Sequence, residues 1–127
     1  GKPFELPVQS SHTQDTLSLL SILRTPINVD NSEMNIAELI AVSKLDSTKN
    51  KLLEENLVKI MDDSFGTSSC AMICIDGAKV RGSGCKLLDL HICSSNTISI
   101  PSYSSEPISV SFQSNIEQPK PRQTLLK

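Results

Sequence analysis

The sequence predicts an α+β domain: about three N-terminal helices followed by an antiparallel β-sheet of roughly four strands. Apolar residues recur at helical spacing from Leu17 to Met61. After Gly66 the pattern changes to Ile and Val alternating with Ser and Thr, the period of a half-buried strand. The two signals are segregated along the chain, which argues against an alternating α/β plan. At 127 residues the chain has the size of one domain and can hold a core without metal or cross-link. The expected organisation is an extended arm over 1–14, one domain over 15–114 (helical part 15–64, β part 69–112) and a polar tail over 115–127.

The elements follow in order. Pro3 and Pro7 disfavour helix before them, and Phe4, Leu6 and Val8 alternate, so the arm reads as extended. Asp15 is a good N-cap for a first helix that Pro26 stops. Asn28, Asp30, Asn31 and Ser32 form a turn-rich connector, and Asp30 with Glu33 has the spacing of a capping box. The second helix then spans about 32–44. Asp46 or Ser47 caps a third, whose core face is Leu53, Leu57, Ile60 and Met61. Glu55 precedes Lys59 by four residues, the favourable order for an ion pair. Asp62 and Asp63 oppose the macrodipole at the end of that helix, and no local pattern explains them. Cys70–Ile75 reads as a strand, Asp76-Gly77 as a hairpin turn, and Lys79-Val80 as the return. Leu87–Cys93, Thr97–Ile100 and Ile108–Phe112 are three further expected strands. Nine serines lie between Ser94 and Ser114, and their alternation with isoleucine reads as the polar face of a sheet.

Twelve Lys and Arg face fourteen Asp and Glu, for a net charge of −2. Phosphate binding is driven by clustered cations that release counterions. Lys44, Lys49, Lys51 and Lys59 are instead interleaved with Asp46, Glu54, Glu55, Asp62 and Asp63, a mixed-sign solvated face. Nucleic acid is therefore not the expected partner. No apolar run approaches the roughly 20 residues that span a bilayer, so no membrane association is expected. Gly1-Lys2-Pro3-Phe4 has no signal-peptide pattern, and no Asn-x-Ser/Thr sequon occurs. The expectation is a piece of a larger intracellular protein, cytoplasmic or nuclear.

Cys70, Cys74, Cys85 and Cys93 fall within 24 residues. The leading expectation is four reduced, buried thiols acting as small apolar side chains. Disulfides, with three connectivities, and a zinc module that uses all four as ligands are the alternatives. The spacing lacks a Cys-x2-Cys knuckle, and His91 alone favours metal. No cofactor is expected.

The catalytic inventory is thin. His12 has no visible orienting partner, and a Cys–His dyad of His91 with Cys85 or Cys93 would be recognised by geometry alone. Arg81-Gly82-Ser83-Gly84 lacks the length and Lys-Ser/Thr ending of a phosphate loop. Three helices followed by a hairpin resemble a winged helix-turn-helix over about half the chain. That resemblance implies nucleic-acid binding through Lys49, Lys51, Lys79 and Arg81. The leading expectation is a non-catalytic protein-interaction or assembly domain, binding a protein partner or itself. Its contact residues are expected to be Ile98, Ile100, Ile108, Val110 and Phe112, on a pairing edge within 97–112.

Overall fold

The structure is a computed structural model that describes residues 14–86 and 92–115. The expected arm up to residue 13, the 87–91 part of the expected strand 87–93, His12, His91 and the tail from 116 lie outside the described residues. The class is α+β. The elements run α1 (Gln14–Leu23), β1 (Pro26–Val29), β2 (Ser32–Asn35), α2 (Ile36–Leu45), a 3-10 turn (Ser47–Lys49), α3 (Asn50–Phe65), β3 (Ala71–Ile75), β4 (Ala78–Arg81), β5 (Thr97–Ile100) and β6 (Ile108–Ser114).

Residues 26–35 are a two-stranded hairpin, not a simple connector. Val29 pairs with Ser32 across Asp30-Asn31, whose φ values of 51° and 68° are those of a type I′ turn. The second helix therefore starts four residues later than the sequence suggests. Its capping box is Asn35 and Glu38, not Asp30 and Glu33. The Glu38 amide donates to Asn35 Oδ1 at 2.8 Å, and the Asn35 amide donates to Glu38 Oε1 at 3.2 Å. Asp30 is instead an ion-pair partner, 2.7 Å from Lys49 Nζ. Asp46 caps the 3-10 turn by accepting from the Thr48 amide at 3.0 Å. Along α3, Leu53, Leu57 and Met61 are buried, and Ile60 packs partly buried against them. Lys59 pairs with Asp63 at 3.3 Å, one turn onward, rather than with Glu55.

The main sheet has the order β4-β3-β6-β5, with every pair antiparallel. One face carries Ile73, Ile75, Ile98, Ile100, Val110 and Phe112. These pack on Leu19, Leu23, Ile36, Leu39, Ile40 and Leu57 of the three helices. The Phe65 and Phe112 rings meet at 5.4 Å, joining α3 to this face. The opposite face carries Cys70, Met72 and Cys74 by alternation, and all three are buried although they point away from the helices.

The connection from β4 to β5 explains that burial. These strands are opposite edges of the sheet, so the connection between them leads from one edge to the other. Cys85 is bonded to Cys70, and Cys93 to Cys74, which fastens both ends of the crossing to the helix-free face. Gln113 Nε2, from the same face, donates to the Ile92 carbonyl at 2.5 Å. The four cysteines are therefore two disulfides. The expected reduced thiols are not found, and none of the four is a thiolate able to ligate zinc. Ile92 and Cys93 lie outside any strand, because their backbone serves this crossing.

Candidate functional site

Hydrogen-bond alternation decides which side of each strand is open. The Asn115 amide donates to the Cys70 carbonyl at 3.0 Å, and the Asp76 amide donates to the Ser109 carbonyl at 2.7 Å. Residues 109, 111, 113 and 115 therefore direct their main-chain groups at β3, and 108, 110, 112 and 114 direct theirs at β5. Ile98 and Ile100 stand opposite Val110 and Ile108, so they make the ladder bonds to β6. The amides and carbonyls of Thr97 and Ser99 point to the other side. Among the described residues β5 pairs with β6 alone.

The expected contact residues need correction on this point. Ile98, Ile100, Ile108, Val110 and Phe112 come together, but as core: each is buried. β6 is an inner strand, paired on both sides. What the 97–112 segment presents outward is the main-chain edge of β5, with the exposed side chains of Thr97 and Ser99. The signal for them was in the sequence, as the polar half of the same alternation.

The two edges of the sheet differ in charge. β4 carries Lys79 and Arg81, which face away from the helices because they stand opposite Cys74 and Met72. β5 carries no charge, and none occurs from Ser94 to Ser105. The cations assigned to nucleic acid are dispersed: Lys49 is held by Asp30, Lys51 lies on α3, and Lys79 and Arg81 lie on the helix-free face of the sheet.

A groove of about 480 Å³ lies between the α2–α3 junction and the β3–β4 hairpin. Leu53, Ile75, Ala78 and Val80 contribute its apolar lining, and Ser43, Lys44, Asn50 and Glu54 its polar lining. No histidine or cysteine is among the lining residues. Beside it, Asp76 accepts the Ser109 amide at 2.9 Å and pairs with Lys44 at 2.9 Å. The Ser109 amide, and then Lys44, hold the Asp76 carboxyl below its ordinary range. That carboxylate is a structural acceptor tying the hairpin turn to β6 and α2.

No protein-family model matches the chain, and no characterised protein or solved structure is significantly similar to it. Among the described residues, no helix is long and apolar enough to cross a membrane, and no cluster of potential metal ligands occurs.

Proposed function

We propose that this chain is a non-catalytic protein-interaction domain that binds by strand addition at β5. The observation that carries the reading is the pair of outward main-chain sets at Thr97 and Ser99, on an edge with no charge to discourage pairing. In strand addition the main chain supplies affinity and the alternating side chains supply selection. The role is that of an assembly module. Paired cysteines persist where thiols are not kept reduced, which supports an oxidising compartment for it.

The test is amide exchange read residue by residue, with and without a neutral synthetic peptide of alternating Thr and Val, unrelated in sequence to β5. The expected result is slowed exchange at Thr97 and Ser99, with the amides of Ile98 and Ile100 already slow in the free protein. Unchanged exchange at Thr97 and Ser99 at saturating peptide would remove the reading.

A further inference from the structure

Strand addition leaves open what adds, and the geometry of β5 points to one occupant. We infer that β5 pairs with β5 of a second copy, antiparallel, with Ile98 on the two-fold axis. This rests on the strand-addition reading and names its partner.

The outward groups are symmetric about Ile98. Thr97 and Ser99 each direct one N–H and one C=O away from β6. A second copy rotated about an axis through Ile98 sets Thr97 opposite Ser99 of the copy, and Ser99 opposite its Thr97. Both are hydrogen-bonded pairs, so all four outward groups of each copy are satisfied. No shifted register satisfies all of them within a strand of four residues. The contact is isologous and closes at two copies, which avoids an open fibre.

Side chains and charge agree with that register. Thr97 and Ser99 are exposed on one face of the sheet, so each hydroxyl meets its counterpart across the junction. The absence of charge from Ser94 to Ser105 lets two identical edges approach without like-charge repulsion. The same approach at β4 would bring Lys79 and Arg81 against their own copies. An ionic partner would find nothing at β5 to recognise, whereas a second copy needs only the main chain. The product is one continuous eight-stranded sheet. Its junction is short, so the association is weak and concentration-dependent rather than obligate.

The experiment is sedimentation of the oxidised, full-length chain from about 10 μM to about 1 mM, a range that brackets a weak association. Exchange at Thr97 and Ser99 is measured over the same range. The expected result is a rising dimer fraction, with exchange at both amides slowing in parallel. Ser99→Pro removes an amide that the fold itself does not use, and Pro is tolerated where an edge N–H faces solvent. Thr97→Lys sets a charge at the junction and keeps the test valid if the proline variant fails to fold. Each is expected to weaken dimerisation at least tenfold, and Lys79→Glu at the other edge is expected to leave it unchanged. A wild-type chain that stays monomeric throughout overturns the inference, as does a dimer indifferent to both β5 variants. Strand addition itself survives a monomer whose Thr97 and Ser99 amides are protected by a neutral peptide of alternating Thr and Val, unrelated in sequence to β5. A monomer that the peptide does not protect ends both.

Discussion

The carboxylate of Asp62, in the last turn of α3, accepts hydrogen bonds from both the amide and the hydroxyl of Ser83, the amide at 2.8 Å. This explains an acid that sits unfavourably at a helix C-terminus. Its partner lies 21 residues away, in the loop that leads from β4 to Cys85, so no local pattern could reveal it. Asp62→Ala is expected to lower stability by about 1 kcal/mol. Asp63→Ala, which loses only an exposed pair with Lys59, is expected to change it by less than about 0.5 kcal/mol. Urea unfolding of both variants checks this, and equal effects would refute the clamp.

Gly84 lies against the backbone that leads into Cys70. A Cβ there would come within 2.2 Å of the Ser69 carbonyl oxygen and 2.6 Å of that of Thr67. Neither can move without displacing the chain, so Gly84→Ala is expected to cost about 2 kcal/mol or more. At Gly82 the nearest atom is the Asp62 carboxylate at 3.2 Å, a side chain that can give by a few tenths of an ångström at some expense to its bonds with Ser83. Gly82→Ala is therefore expected to be the milder change. Thermal unfolding of the two variants side by side gives the order.

The disulfides close segments with sequence separations of 15 and 19 residues. Each is expected to contribute about 3 kcal/mol by restricting the unfolded chain. The denatured mass of the purified oxidised protein should lie about 4 Da below that of the four-thiol form, at two hydrogens per bridge. Cys74→Ser with Cys93→Ser should lower the urea midpoint substantially and raise exchange at Met72 and Ser111, which lie on the face that the crossing covers. Unchanged exchange at those two amides would show that the bridge is not what holds the crossing down.

The Asp76 carboxyl is lowered from its ordinary 3.8, first by the Ser109 amide and then by Lys44. A group depressed by folding stabilises the native state above its unfolded value, and that contribution fades as the pH falls through the folded value. Stability should therefore decline as the pH drops below about 4, the ordinary carboxylate range. Asp76→Asn should flatten this part of the curve. Lys44→Met should retain most of the decline, because the amide is the larger cause. An equal loss in both variants would reverse that ranking.

Much of the sheet was legible because its chemistry is local. Asp76-Gly77 marks a turn that needs positive φ at two successive residues, and the φ values are 49° and 87°. Ile98, Ile100, Ile108 and Val110 alternate cleanly with polar residues, and both strands form where that pattern lies. The β1–β2 hairpin was not legible, because Pro26–Val29 and Ser32–Asn35 are short and weakly patterned. Asp30/Glu33 and Asn35/Glu38 share one spacing, and it is the β1–β2 hairpin, with Asp30 in its turn, that leaves Asn35 as the cap. The site was half legible. Sequence located the segment but not its neighbours, and it is the non-local β3–β6 pairing that makes β6 internal and leaves β5 at the edge. Cysteine pairing was beyond reach for the same reason.

The interlocked order of the cross-links, first cysteine to third and second to fourth, has a consequence for proteolysis. A trypsin-like protease that nicks the chain after Lys79, Arg81 or Lys86 cuts inside at least one closed ring. Any single break between Cys70 and Cys93 leaves the two pieces covalently joined. A nicked molecule would run as intact chain on a non-reducing gel and fall into two fragments only when a reductant is added.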